Sequence, residues 1–350
     1  MVKVTDITYE TIPIEPTNES FKKCVEYIKL IGKDYKKMLP KKPKKTVSFE
    51  IHNSNSDFAN LIRRNLLDEF TVYSMYMSET VQYDDSFHLN EVIEKQIEYI
   101  PILQDLEKYD IDKFSINLFA ENKTYSIITI YSRDLEILYD NKKYAGESLF
   151  SDNIPILDLR ASKKINITGI KICKGKAKDD SGKYLLLSNL KYKILDVIPL
   201  NKTKYETTGE SSLNSNPSKF LFKLTNHRNI EPKKIMKICL GSIQKKLETI
   251  LSEITKIKDS DTEYISDIIK FEILDNFKLI HFFGEYWTIS NVISRYCYIE
   301  DNDIEFVCSS ITHPTTEISI VKIKSNNYLK ILINAVRNII NDVNIMEKSF

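Results

Sequence analysis

The sequence has little glycine and proline and no excess of either charge. Only 8 Gly and 10 Pro occur among 350 residues, which argues against long disordered or low-complexity segments. The 50 basic and 49 acidic residues leave a formal net charge of +1. Because proteins that grip phosphates usually carry a basic surplus, we expect any contact with DNA or RNA to be local or indirect, through a partner.

Paired cysteines and membrane segments are also missing. The five cysteines are odd in number and form no C-x-x-C pair, which excludes a disulfide framework and a structural zinc site and fits a reducing compartment. The N-terminal residues lack the apolar core of a signal peptide, and no run approaches the ~20 apolar residues that span a bilayer. We therefore expect a soluble intracellular protein with no membrane partner.

Catalytic motifs are not found either. The histidines show no metal-binding spacing, and there is no G-x-S-x-G or phosphate-binding loop. The pairs Asp84-Asp85, Asp179-Asp180 and Asp301-x-Asp303 are expected to be polar turns, and His313 to lie in a turn before a strand rather than act as a general base. We expect no catalytic residue, no metal ion and no cofactor. The five histidines are His52, His88, His227, His281 and His313.

The chain contains two copies of a related sequence unit. Residues 46–51 alternate like a strand and are followed, after a polar loop, by a helix-like segment at 57–64. Residues 277–282 and 288–295 repeat this order. Placing Asn60 on Asn291, 231 residues later, aligns four further positions of the two helices. The pairs are Phe58 with Ile289, Leu61 with Val292, Ile62 with Ile293, and Arg64 with Arg295.

Each unit is closed by a long helix with an apolar stripe. One helix opens at Glu231-Pro232, with proline at a favoured first-turn position, and the other begins near Tyr328. Stripes of this kind suit packing of one helix against the other. Two related units in one chain predict a covalently fused pseudo-dimer. We expect its core to contain Phe58, Leu61, Ile62, Ile243, Leu247, Ile289, Val292, Ile293, Leu332, Val336 and Ile339.

Composition and pattern divide the chain into five parts. Residues 1–45 are predicted to be an N-terminal extension that ends in a basic linker. The first dimerisation unit is 46–103 plus 206–257, and a strand-rich domain at 104–205 is inserted into it. A polar linker at 258–267 leads to the second unit, 268–350.

The first half resembles the third-largest subunit of RNA polymerase II. Residues 57–64, Asp-Phe-Ala-Asn-Leu-Ile-Arg-Arg, are similar to its x-x-A-N-x-(L/I)-R-R helix, and residues 131–135 to its S-R-D-L strand end. Residues 90–93 and 99–102 resemble its D-E-(V/F)-I…I-P-L segment. Residues 158–160 and 174–178 resemble its L-R-x-G-Q and K-G-x-(G/A)-K stretches.

The second half resembles the eleventh-largest subunit. Residues 285–293, Glu-Tyr-Trp-Thr-Ile-Ser-Asn-Val-Ile, are similar to E-x-H-T-L-G-N-L-L, and residues 303–307 and 313–314 resemble V-x-F-A-G-Y…H-P-L. Trp287 replaces the family's His and Ser290 its Gly. The cysteine cluster of some relatives is missing, and the loop 174–183 is shortened and acidic at Asp179-Asp180, so contacts through that loop are not carried over.

The resemblance, which covers residues 44–349, implies fold and function. It implies an α+β fold of two α-subunit-type dimerisation units, fused as an intramolecular pseudo-dimer, with a mostly-β domain inserted in the first. It implies a non-catalytic assembly-platform subunit of a DNA-directed RNA polymerase, a nucleotidyltransferase complex. The partners would be the largest and second-largest subunits and small adaptor subunits. Arginine forks suit pairing with a partner's carboxylates. The implied partner-interface residues are Asn60, Arg63, Arg64, Arg133 and Arg160.

Fusion of the two subunits resembles the arrangement in large eukaryotic DNA viruses. The abundance of Lys, Ile, Asn and Tyr is typical of an A/T-rich genome. A viral source would place the protein in the viral factory of the host cytoplasm and in the virion. Two alternatives stay open: a structural or regulatory interaction protein that uses the same fold outside a polymerase, and a hydrolase built on the histidines.

Overall fold

A computed structural model describes most of the chain. The described residues are 2–12, 19–30, 44–77, 89–103, 105–151, 153–196, 217–226, 228, 230–258, 262–285, 287–300, 304–313 and 315–350. Outside them lie Asp84-Asp85, His88, His227, the pair Asp301 and Asp303, most of the loop 206–217, part of the linker 258–267, and the basic run before residue 44.

The described residues form a mixed α+β structure with several antiparallel sheets. The helices are α1 (Glu19–Leu30), α2 (Ser56–Arg64), α3 (Asn90–Glu98), α4 (Pro232–Ile254), α5 (Trp287–Glu300) and α6 (Tyr328–Ser349). The strands are β1 (Lys3–Ile12), β2 (Lys44–His52), β3 (Thr71–Met77), β4 (Phe114–Glu121), β5 (Ile128–Tyr131), β6 (Leu135–Tyr139), β7 (Lys142–Lys143), β8 (Pro155–Leu159), β9 (Lys164–Lys176), β10 (Leu187–Ile194), β11 (Phe220–Asn226), β12 (Glu263–Ile265), β13 (Ile269–Leu274), β14 (Phe277–Phe283), β15 (Phe306–Ile311) and β16 (Ile318–Lys324).

Local signals in the sequence account for most of these elements. The Asn55 side chain caps α2 by accepting a hydrogen bond from the Phe58 amide at 2.9 Å, as the run of polar residues before this helix predicts. Pro232 occupies the first turn of α4, where its missing N–H breaks no helical hydrogen bond. Helix α3 ends at Glu98, three residues before Pro101. Alternating apolar residues gave β2, β9, β14 and β16 to within a few residues.

Two sheets share one connectivity. The first has the order β1-β2-β11-β10, and the second the order β12-β13-β14-β16-β15, with every neighbouring pair antiparallel. In the first, β2 leads into α2, and β11, which pairs with β2, leads into α4. In the second, β14 leads into α5, and β16, which pairs with β14, leads into α6. Each half is therefore a strand, a short helix, a returning strand and a long helix.

A third sheet, whose strands lie between β2 and β11 in the sequence, forms a separate body. Its order is β3-β9-β4-β6-β7, and the two-stranded sheet β5-β8 lies with it over a second core, which α3 also enters through Ile93 and Ile97. Sheet membership differs from the boundaries that the sequence suggested. Strand β3 precedes residue 104 yet pairs with β9, and β10 precedes residue 205 yet pairs with β11. Within the segment 1–45, β1 pairs with β2 in the first sheet.

The two halves share one main core. Helix α4 packs against α6, and α2 packs against α5, so apolar residues from both halves form one continuous cluster. Phe49 of β2 stacks on Phe222 of β11 and meets the edge of Phe350 beyond α6. Asp342 of α6 accepts hydrogen bonds from the Val2 amide and the Tyr296 hydroxyl, at 3.1 and 2.8 Å. In the described ranges, no helix has both the length and the apolar character that crossing a membrane requires.

Candidate functional site

Three of the five residues assigned to a partner interface lie on the flank of α2. Asn60, Arg63 and Arg64 are partly exposed beside the buried stripe of that helix. Nε and Nη2 of Arg63 both donate to Asn60 Oδ1, at 3.1 and 2.8 Å. Arg64 Nε lies 3.0 Å from a carboxylate oxygen of Asp68, one turn later. Both guanidinium groups are thus held in place before any partner binds.

Helices α2 and α5 meet through related residues. A shallow cavity contains Asp57 from the first turn of α2 and Arg295 from α5. Burial raises the pKa of the Asp57 carboxyl, and the charge of Arg295 offsets part of that rise. A second cavity contains Arg64 of α2 and Thr288 from the first turn of α5. Asp57 and Thr288 are 231 residues apart, as are Arg64 and Arg295, so each arginine lines a cavity with a residue from the first turn of the opposite helix.

An ion network connects the two halves with the third sheet. Glu69 lies in a π-helical turn that follows α2, 2.9 Å from Nζ of Lys176, the last residue of β9, and 3.4 Å from Nζ of Lys178, in the turn after β9. Lys246 of α4 lies 3.9 Å from Glu69 and 2.6 Å from Glu285, which precedes α5. We call these five residues the junction network. All of them except Lys176 line a cavity of about 200 Å³, together with Arg64, Asp68 and Glu317.

The fold shifts the pKa values of the two carboxylates of the junction network in opposite directions. Burial acts to raise the pKa of Glu69, but the hydrogen bond from Lys176 and the nearby lysine charges outweigh it, and the pKa is lowered. Burial also raises the pKa of Glu285, and here Lys246 offsets only part of the effect. The fold therefore favours the charged form of Glu69, whereas it disfavours the charged form of Glu285.

The other two assigned arginines lie elsewhere. Arg133 and Arg160 are exposed and belong to the body around the second core, not to α2. The Arg133 guanidinium lies over the Tyr131 ring, 4.5 Å from its centroid. Because β5 and β8 are antiparallel, Arg133 and Arg160 follow opposite ends of this two-stranded sheet. The structure thus brings Asn60, Arg63 and Arg64 together and leaves these two apart from them and from each other.

The eleven residues predicted for the intramolecular core are buried together. Each belongs to the main core, and none is more than 2% exposed. They come from α2, α4, α5 and α6, which are the four helices that contact one another between the halves.

Arg228 is the most unusual charged residue that the sequence did not single out. It is 5% exposed and donates to the carbonyl oxygens of Tyr73, Ile102 and Leu185, at distances of 2.7 to 3.3 Å. Burial lowers its pKa to about 10. No carboxylate pairs with it among the described residues. It follows β11 in a polar segment with no periodic pattern, so nothing in the sequence signals burial.

The described histidines take part in separate hydrogen bonds. His52 lies 3.0 Å from Glu50, and His281 lies 3.0 Å from Glu272, in different sheets. His313 Nδ1 lies 2.8 Å from the Thr315 hydroxyl, within the turn before β16 that the sequence predicts.

One group of potential metal ligands accompanies His52. Ligand atoms of Asp6, Glu50 and His52 lie within 4.8 Å of one another. His52 Nε2 is also 3.0 Å from the Thr5 hydroxyl. The His52 ring thus has one hydrogen-bond partner across the β1–β2 pair, Thr5, and another within β2, Glu50.

Asp180 confirms the predicted turn near the end of the third sheet. Its carboxylate accepts hydrogen bonds from the Gly182 and Lys183 amides, at 3.0 and 3.1 Å. Asp179 is exposed and accepts from the Lys176 amide at 3.3 Å.

No protein-family model matches the chain, and no curated protein matches it significantly.

Proposed function

We propose that this chain is a non-catalytic assembly platform of a multisubunit DNA-directed RNA polymerase, built as a fused pseudo-dimer. The observation that carries the proposal is the shared connectivity of the two halves. Strands β1, β2, β11 and β10 take the same places in the first sheet as β13, β14, β16 and β15 take in the second. A short helix follows β2 in the first half and β14 in the second, and a long helix follows β11 in the first half and β16 in the second.

Burial supports the same correspondence. Phe49 and Ile51 of β2 are fully buried, and the residues 231 positions later, Ile280 and Phe282 of β14, are at most 1% exposed. The helices repeat this pattern, since Phe58, Ala59, Leu61 and Ile62 correspond to buried Ile289, Ser290, Val292 and Ile293. Equal spacing across a strand, a loop and a helix favours duplication over chance similarity of two apolar stripes.

Contacts between the halves are also reciprocal. In a two-fold dimer, residue i of one subunit meets j of the other, and j meets i. Here Arg295 lies near Asp57, and Arg64 lies near Thr288, which is the equivalent pair by the 231-residue offset. A pseudo-dimer of this kind buries its apolar helices internally and leaves the flanks of α2 and the third sheet for partners.

The α2 flank is our proposed docking surface for a large polymerase subunit. Arg63 is pre-organised by Asn60, so less side-chain freedom is lost when a carboxylate binds. We expect Arg63 to be the main contact, because Arg64 already faces Asp68. Arg133 and Arg160 would serve a second contact on the inserted body. The chain would act by binding and pre-organising partners, with no turnover of its own.

The test is recovery of the complex from native cells. The tagged chain is captured, the eluate is analysed by mass spectrometry, and template-dependent RNA synthesis is measured. Under the proposal, two large polymerase subunits co-elute and the eluate synthesises RNA. A variant with Arg63→Glu and Arg64→Glu should lose most of the co-eluting large subunit while keeping its circular dichroism spectrum.

A matched control separates a specific contact from a change in net charge. Lys191 and Lys193 of β10 are exposed, and changing both to Glu alters the charge equally. This control should capture the large subunits as the parent chain does. Equal capture by the arginine variant would refute the role of Arg63 and Arg64, and an eluate without polymerase subunits would favour an interaction protein outside a polymerase.

A further inference from the structure

We propose that a groove between α4 and the start of β3 binds an acidic segment of a partner protein that carries large apolar side chains. The groove has a volume of about 710 Å³. It is separate from the α2 flank, and the inference does not depend on which complex the chain belongs to.

One wall of the groove is a single face of α4. Its residues recur at helical spacing, so they lie side by side along the helix. The rest of the lining includes the start of β3, Lys174 and Lys176 of β9, and the buried side chains of Phe70, Val72 and Ile102. From Lys234 to Lys245 the helical face extends about 16 Å, which about five residues of an extended peptide would span. The α4 residues are Lys234, Lys237, Ile238, Cys239, Gly241, Ser242 and Lys245.

The acidic residues of the groove are already paired. Six cationic and three acidic residues line it. Asp105 and Glu107 both contact Lys234, and Glu69 contacts Lys176. The cations that remain have no carboxylate within ion-pair distance among the described residues, so the groove is left with a positive potential. They are Lys174, Lys237, Lys245 and Arg228.

Arg228 adds to this potential from below. Its guanidinium is almost fully buried and donates to carbonyl oxygens, which orient it without neutralising its charge. A charge removed from water is screened less than the surface lysines are. An anionic side chain entering the groove would thus meet a fixed charge as well as adjustable ones.

The same wall offers a place for an apolar side chain. Ile238 is 39% exposed between lysines, and Gly241 follows it by one helical turn. A Cβ atom built on Gly241 would have no neighbour within 4 Å, so the space beside the helix is open at this point, and we call this space the recess. Apolar and cationic positions that alternate along one wall fit a peptide with acidic and apolar residues.

The lining fits a peptide better than a nucleic acid. A phosphate backbone carries no large apolar side chain that could lie beside Ile238 and Gly241. Single-stranded nucleic acids also need aromatic faces on which bases stack. The Tyr73 ring is covered by Lys174, whose Nζ lies 5.3 Å from its centroid.

The test selects ligands for the intact chain from a phage library of random heptapeptides. Acidic sequences with apolar residues should be enriched. The affinity of one selected, fluorescein-labelled peptide is then measured by fluorescence anisotropy. Lys237→Glu with Lys245→Glu should raise its Kd by about tenfold or more, and Gly241→Leu, which fills the recess, should also weaken binding. Lys191→Glu with Lys193→Glu is the matched charge control and should leave Kd unchanged.

Three results would overturn the inference. They are a selection without acidic enrichment, equal weakening by the control pair, and displacement of the peptide by oligothymidylate as efficiently as by unlabelled peptide. If the double Glu variant loses its cooperative urea transition, Lys237→Gln with Lys245→Gln removes the same charges without adding new ones. Unchanged affinity in that variant would equally refute the proposal.

Discussion

Changing Glu69 to Gln should destabilise the protein by removing the centre of the junction network. Glu69 lies within ion-pair distance of Lys176, Lys178 and Lys246, and its side chain is 18% exposed. Glutamine has nearly the same shape and still accepts a hydrogen bond, so the substitution removes charge and little packing. Three lysines would then remain close together, with Glu285 beside Lys246 and Glu317 acting on Lys178.

The structure sets the size of the effect. The three lysine side chains are 27 to 37% exposed, so solvent screens each pair, and each contributes up to about 1 kcal/mol. We expect the free energy of unfolding to fall by about 1–3 kcal/mol at pH 7. At about 2.1 cal/mol/K of unfolding entropy per residue, this corresponds to a decrease in Tm of about 1.5–4 °C.

The effect should depend on pH in one direction. Because the folded-state pKa of Glu69 is lowered from its ordinary value of 4.5, its stabilising charge is fully present above that value. It is lost as the pH falls through the folded-state pKa. The deficit of the Glu69→Gln variant should therefore be constant from pH 8 to about 5.5 and should narrow only below about 4.5.

Urea unfolding of the parent and variant at several pH values measures this deficit. Glu305→Gln is the control, since Glu305 is 60% exposed and its ion pair with Lys324 lies at the surface. That control should change the unfolding free energy by less than about 0.5 kcal/mol. Equal effects of the two substitutions at pH 7, or a Glu69→Gln deficit that grows as the pH falls, would refute the electrostatic role of the network.

Two further predictions concern buried groups. Arg228→Met should lower the unfolding free energy by about 2–5 kcal/mol, because three carbonyl oxygens lose their donor, and an unfolding curve that matches the parent in urea would contradict this. In a thiol-reagent assay, the exposed Cys24 should react first, whereas burial raises the pKa of the Cys239 thiol and should block its reaction until the chain unfolds. Cys24→Ser should remove the fast phase, and a fast phase that survives it would show that the reagent reaches another thiol.

Local pattern predicted the elements of this fold well. Phe58, Leu61 and Ile62 recur at helical spacing, and all three are buried in α2, because a helix places residues of that spacing on one face. The correspondence of this helix with α5 was visible from the same residues. The short-range chemistry of the Asn55 cap and of Pro232 fixed two of the helix starts.

Partnership between distant strands was not predictable in the same way. Strands β3 and β10 alternate like their neighbours, and nothing in the alternation names a partner strand. Only the tertiary structure shows that β10 returns to the first sheet and that β3 leaves it. The sequence alone suggests that charged side chains such as Glu69 and Lys246 are exposed to solvent, as most are. Their proximity results from the way a turn, a helix and a strand meet in the fold, which the sequence did not predict.

Joining both halves in one chain has a consequence for biosynthesis. The apolar face of α4 is covered by α6, which leaves the ribosome about 5–20 s later at ordinary elongation rates. During that interval the first half has no companion, and its exposed face is a target for chaperones or for aggregation. Once α6 emerges, the tether supplies it at an effective concentration in the millimolar range, far above that of a separately made protein. The shared chain thereby fixes a one-to-one ratio of the halves and shortens the period during which either could pair with a wrong neighbour.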